Sequence, residues 1–300
     1  MNLSQSQLND YFSEFRIARQ DAPYPPYHTG QYLEEYFVDK WIKWNTPSPS
    51  RLLIPVYWTA VFNHKVSDGL HEGSENNLLR KRLFQKLESL DPNKSYFTVS
   101  THDDAPQGIF PKDTMHFYAG GNAEVENCHP IPLIASGFKV VEDLQKMVFC
   151  SFVGSTTNPI RNHCLSTLHD KPGYVIKAFH WQPNVTEDQT ALFYNLTSQS
   201  RFTLCPRGYG ATSYRLYEAM QLGSIPVYVS DKHLLPWSDE LNWEEFCVII
   251  KPQDIHRIDS ILKSYTETQV REMQQKIKEV YFPFFTIPAT YQNIYKRVSL

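Results

Sequence analysis

The chain has 300 residues, 41% hydrophobic and 20% charged, the balance of a soluble globular protein with room for two domains that each bury a core. Twenty-nine Lys and Arg against 32 Asp and Glu leave a net charge of −3, so no basic surface draws the protein to nucleic acid or anionic lipid. No apolar run of about 18 residues and no basic stretch leading into an apolar core occurs, which predicts a cytoplasmic protein with no membrane span.

In chain order, "YLEEYFVDKWIKW" (32–44) places Leu33, Phe37, Trp41 and Trp44 at helical spacing. Core packing is the first reading of that stripe; the alternative is a wall of exposed rings, Tyr24, Tyr27, Trp41 and Trp44, able to stack on sugar faces. Short apolar runs bounded by turn residues at 51–58, 95–101, 115–121 and 131–136 read as buried parallel strands. Between the first two, "NNLLRKRLFQKLESL" repeats Leu79, Leu83, Leu87 and Leu90 at helical spacing, completing a βαβ unit. The pattern restarts with strands at 146–155 and 174–179. This predicts two doubly wound α/β domains, 1–145 and 146–300. The C-terminal stretches "TQVREMQQKIKEVYF" and "ATYQNIYKRV" read as helices, the last spanning about 287–300. The five cysteines, Cys128, Cys150, Cys164, Cys205 and Cys247, form no CxxC pair and read as reduced, buried thiols; no metal site is expected.

The segment 201–231, "RFTLCPRGYGATSYRLYEAMQLGSIPVYVSD", holds more chemistry than a turn needs. A strand is followed by Gly208 and Gly210, and Thr212 or Ser213 is placed to cap the helix that stops at Gly223. Free N–H groups and the positive end of a helix dipole then point the same way and form an anion site. Arg207 just before the turn and Arg215 in the first helical turn reach the same anion, which suits a diphosphate. Glu218, roughly 7.5 Å along the axis from Ser213, stands where it can accept from both hydroxyls of a ribose. The competing reading is a surface Arg215–Glu218 salt bridge of about 0.3 kcal/mol. No P-loop, GxGxxG after a strand in the first domain, GxSxG, HExxH or Asp-x-Asp occurs, so the arginines and the helix would do a metal's work on the diphosphate.

"CPRGYGATSYRLYEAMQLGSIPVYVSD", continuing through "LPWSDELNWEEFCVII", resembles the signature region of the exostosin-like glycosyltransferases. "FVGSTTNPIRNHCLSTL" (152–168) is similar to the segment that opens that family's donor domain, and "MHFYAGG" to its counterpart in the acceptor domain. The resemblance implies a GT-B fold of two Rossmann-like domains facing a cleft, with the C-terminal helix crossing back to the first. It further implies a UDP-sugar on the second domain, inversion at the anomeric carbon, and no cofactor or required metal. It maps Arg207, Arg215 and Glu218 onto donor-binding positions. The compact form is similar to microbial and algal-virus members and points to a pentose donor such as UDP-xylose.

Under that reading a base removes the proton of an acceptor hydroxyl on a glycan or glycoprotein as the oxygen attacks C1 of the sugar, and UDP departs with the developing charge. Gly154, Ser155 and Arg161, after another strand, are further donor contacts, against the plainer reading of a strand-to-helix turn. The base comes from the first domain, where Asp103, Asp104 and His102 follow one strand and His64 another; Asp after a strand also caps turns. A nucleotide- or glycan-binding module without turnover, and a retaining GT-B enzyme that needs no such base, are the rival functions.

Overall fold

The computed structural model describes residues 1–17, 32–44, 50–63, 75–135, 145–182 and 185–299. Among these, 1–17, 32–131 and 290–299 form one compact unit and 132–289 form a second. His64, Tyr24 and Tyr27 lie outside the described residues.

In the first unit, α1 (Gln5–Tyr11) starts at a capping box of Ser4 and Gln7. It is followed by α2 (Leu33–Trp44), β1 (Leu52–Leu53), α3 (Trp58–Asn63), α4 (Glu75–Glu88), β2 (Tyr96–Ser100), β3 (Met115–Tyr118) and β4 (Cys128–Pro130). The four strands are parallel and lie in chain order, β1-β2-β3-β4. The leucine stripe of α4 does what its spacing predicts: Leu79, Leu83, Leu87 and Leu90 are buried in one core with Phe12, Phe15, Ile54, Val56 and Trp58. The expected strand at 51–58 shortens to two residues: 54–57 are irregular and α3 begins at Trp58. A buried carboxylate fixes that junction. Glu34 accepts from the Thr59 amide (2.8 Å), the Thr59 hydroxyl (3.2 Å) and the Thr101 amide (2.9 Å), tying α2 to the start of α3 and the end of β2.

The units part at 131–132, not near 145. The last strand of the first sheet is Cys128–Pro130 rather than the expected 131–136, since Pro132 has no N–H to extend the ladder.

The second unit carries β5 (Val148–Ser155), α5 (Pro159–Leu168), β6 (Tyr174–Phe179), α6 (Glu187–Gln199), β7 (Ser200–Pro206), α7 (Tyr214–Gln221), β8 (Ile225–Val229), β9 (Val248–Ile250), α8 (Ile258–Ser264) and α9 (Glu267–Phe284). Its sheet is all parallel in the order β6-β5-β7-β8-β9. Numbered within the unit that is 2-1-3-4-5, a doubly wound order whose winding reverses between β5 and β7. Capping boxes at Thr186 and Thr266 start α6 and α9, and Gly223, at φ 69°, supplies the left-handed residue that ends α7. Four of the five cysteines are buried and all five are free.

The chain closes with α10 (Ile287–Val298), whose residues from Thr290 onward pack with the first unit. Tyr291 lies 4.9 Å from the Phe37 ring, Tyr295 lies 6.0 Å from Trp41, and Ser50 donates to the Val298 carbonyl. The α2 stripe at Phe37 and Trp41 is therefore core. Among the described residues, no helix is long and apolar enough to cross a membrane.

Candidate functional site

In an open parallel sheet, ligands bind beyond the C-terminal ends of the strands where the winding reverses. In the second unit that point lies between β5 and β7, and it is where the sequence placed Gly154, Ser155 and Arg207. Three arginines converge on it, all nearly buried: Arg161 (5% exposed), Arg207 (7%) and Arg215 (9%). Burying three guanidiniums is expensive unless each is satisfied.

The satisfaction comes from backbone carbonyls at the strand ends. Arg161, from α5, donates to the carbonyls of Ser155 (2.9 Å), Pro206 (3.1 Å) and Arg207 (3.2 Å), bridging the ends of β5 and β7. Arg215, from the first turn of α7, donates to the Val153 carbonyl from Nη2 (2.6 Å) and Nε (3.2 Å). Its guanidinium also lies 4.4 Å from the centroid of the Phe152 ring, and that of Arg161 lies 5.8 Å from the same ring. Two cations thus share one phenyl ring. Arg207 pairs with Asp231 (2.5 Å), at the end of β8, and donates to the Tyr209 carbonyl (3.0 Å), which shapes the turn after β7. Partial burial pushes the Asp231 carboxyl up, but the Arg207 hydrogen bond and charge outweigh it and leave the group below its ordinary value.

The glycines act differently from the expected open turn. Gly154 has φ 152°, a region L-residues avoid, and a Cβ there would sit 2.1 Å from Arg215 Nη2. A Cβ on Gly208 would come within 3.1 Å of Arg161 Nη2. Both glycines make room for arginines. Ser213, not Thr212, is the cap of α7: its hydroxyl accepts from the Arg215 amide at 3.4 Å.

Arg215 and Glu218 do not form the surface salt bridge of the plainer sequence reading. Arg215 is buried on β5, and Glu218, half-buried on α7, has its carboxyl pushed up to about 7 by burial, with the Arg215 charge pulling the other way. Arg207 has a carboxylate, that of Asp231, as an ion-pair partner. The arrangement can receive an anion. Sequence reasoning missed Asp231, which its place two residues past a strand could have signalled, and two exposed rings on the same edge, Trp181 and Tyr209.

In the first unit, His102, Asp103 and Asp104 follow β2 and are half-buried. His102 Nδ1 accepts from the Asp104 amide (3.0 Å), so Nε2 carries the proton, toward Asn63 Oδ1 (3.1 Å). Its one lone pair is thereby engaged, which counts against it as a base. Asp104 accepts from Asn122 Nδ2 (3.1 Å); Asp103 is held by its carbonyl, which accepts from the Tyr118 hydroxyl and the Asn122 amide. No cluster of three or more His, Cys, Asp or Glu suited to a metal ion occurs among the described residues.

Residues 123–265 match the model of the exostosin GT47 domain. A probable glucuronosyltransferase of Oryza sativa subsp. japonica is 38% identical over 81 residues, 27% of this chain and 19% of that protein. A probable beta-1,4-xylosyltransferase of Arabidopsis thaliana is 35% identical over 92 residues, 30% of this chain and 22% of that protein. The alignments span less than a quarter of the length of these curated relatives. A glycosyltransferase from Rickettsia africae ESF-5 superposes on 88% of this chain and 93% of its own at a TM-score of 0.42 and 11% identity, too loose a likeness to argue from.

Proposed function

Taking the chain as exostosin-like over residues 123–265, we propose that it transfers a sugar from a UDP-sugar to a hydroxyl of a glycan acceptor, inverting the anomeric centre and requiring no metal. The observation that carries this reading is the arginine cluster at the β5–β7 reversal beside the N-terminus of α7. Arg215 and Arg161 spend their donors on carbonyls in this structure, and an incoming diphosphate offers stronger, charge-assisted partners to the same groups. Arg207, braced by Asp231, holds the turn from which the amides of Gly210 to Ser213 meet the diphosphate. Glu218 accepts from the ribose. As the acceptor oxygen attacks C1, the bond from C1 to the diphosphate oxygen breaks, and the guanidiniums neutralise the charge gathering on UDP.

In this scheme Asp103 or Asp104 takes the acceptor proton, His102 being engaged through Nδ1. Xylose is the first donor to test. UDP-glucuronic acid competes, because one relative is named a probable glucuronosyltransferase and another a probable xylosyltransferase.

Calorimetric titration of UDP into the parent, Arg215→Ala and Glu218→Ala tests the nucleotide site. Each substitution is expected to weaken binding by about 1.5–3 kcal/mol, the range for hydrogen bonds to charged groups. Arg215→Ala should also lower kcat, while Glu218→Ala should act mainly through affinity. Unchanged affinity in both variants removes the nucleotide from this turn. EDTA is expected to leave transfer largely intact, and a loss of turnover restored by magnesium overturns the metal-independent reading.

A further inference from the structure

Six tryptophans occur in the chain, and five of them have partners. Trp41 packs among the rings of Phe37, Phe97 and Tyr291; Trp58, Trp237 and Trp243 are buried and donate from Nε1 to Thr98 Oγ1, the Phe284 carbonyl and the Pro236 carbonyl. Trp44, 57% exposed, is covered by the Lys40 ammonium 4.1 Å from its ring centroid. Trp181 is 60% exposed and, among the described residues, has no ring, cation or hydrogen-bond partner. A large ring left bare, with an unused N–H, is an apolar platform with a polar handle.

Its place in the fold gives it a use. Trp181 follows β6 by two residues, and Phe179, the last residue of β6, is level with Ser155 of β5. Neighbouring strands lie about 4.8 Å apart, so the indole stands on the same sheet edge as the arginine cluster, within roughly 10 Å of the Ser155 carbonyl that Arg161 holds. The two sides of the cluster differ. Glu218 rides on α7, which packs on β7 and β8, whereas Trp181 lies on the β6 side. A nucleotide sugar laid along this edge with its diphosphate at the arginines and its ribose at Glu218 extends its other end toward β6.

We propose that Trp181 is a saccharide platform, stacking the apolar face of a pyranose ring beside the diphosphate site. Axial C–H groups of a sugar carry partial positive charge and complement the negative face of the indole, which binds the ring without consuming its hydroxyls. Trp181 is a binding and specificity residue, outside the bond-making steps. The inference rests on the nucleotide reading above for the direction in which the ligand lies. The ring bound is that of the donor sugar or that of the acceptor, and the two are separable by experiment.

Trp181→Ala and Trp181→Phe are to be compared with the parent in titrations of UDP, UDP-xylose, UDP-glucuronic acid and xylohexaose. UDP affinity is expected to stay within about twofold in both variants, while Trp181→Ala loses about tenfold for a saccharide-bearing ligand and Trp181→Phe recovers most of it. A loss confined to the UDP-sugars assigns the donor ring, and a loss confined to xylohexaose assigns the acceptor; either supports the platform. An equal loss for UDP and UDP-sugars overturns it, because the indole then stacks on the nucleoside. So does an unchanged affinity for every ligand, as a ring covered by a protein partner would give. If the parent binds no UDP, the nucleotide reading fails by itself, and the xylohexaose arm still decides Trp181: tenfold weakening upholds the platform and no change or no binding ends it.

Discussion

Glu218 is the residue whose chemistry the fold most alters. Burial favours its neutral form and raises its pKa from 4.5 to about 7, so the carboxyl destabilises the folded state increasingly as pH rises from 4.5 to 7, and by a constant amount above that. Glu218→Gln removes the charge and keeps the shape. It is expected to raise thermal stability at pH 8 by on the order of 1–2 kcal/mol and to change little at pH 4.5. Its effect on ligand runs the other way. In the proposed site a ribose donates to the ionised carboxylate, so UDP affinity in the parent should gain as pH rises through about 7 relative to Glu218→Gln, whose affinity follows only the ionisation of UDP. Thermal denaturation and UDP titration at pH 5, 6, 7 and 8 check both signs; a glutamine variant less stable than the parent at pH 8 contradicts the assignment.

Among the elements, β5 and α7 show what was legible in the sequence and what was not. The strands, the cap at Ser213 and the stop at Gly223 could be read because each depends on a few neighbouring residues: apolar runs, a short polar side chain, a residue free to take positive φ. That Arg215 crosses to β5 could not, since residues 153 and 215 meet only through the sheet order. The same holds for Gly154, read as a turn residue and found to be the floor under a guanidinium. Gly154→Ala is therefore predicted to be worse than a turn mutation. The φ of 152° strains alanine by about 1–3 kcal/mol, and the methyl displaces Arg215 from the Val153 carbonyl. Reduced stability together with UDP affinity lowered about tenfold is the expected result, whereas a purely thermal effect would place Arg215 outside the anion site. Short strands misread at 51–58 and 131–136 failed for a related reason. At 131–136 the proline at 132 withholds a donor from the ladder, and after 53 the chain is drawn into α3 by a long-range partner, Glu34, which no local pattern reveals.

At the scale of the whole molecule, the two units are unequal in how the chain builds them. Among the described residues the second falls within 132–289, while the first also takes in the residues from Thr290 onward. Tyr291, Ile294 and Val298 are buried, and Tyr291 and Tyr295 pack against the rings of Phe37 and Trp41. Ending the chain after Ala289 uncovers that aromatic face, and losing even one large buried ring of this kind costs about 3–5 kcal/mol. The residues proposed to hold the nucleotide all lie within 132–289, so the truncated protein should still bind UDP with near-parental affinity while its first unit melts early. Scanning calorimetry with and without saturating UDP separates the two events, because ligand raises only the transition of the unit that binds it. The expected trace has a low transition insensitive to UDP and a higher one that UDP shifts upward. If truncation instead abolishes UDP binding while the ligand-sensitive transition disappears, the second unit depends on residues beyond its own stretch and does not fold as an independent body.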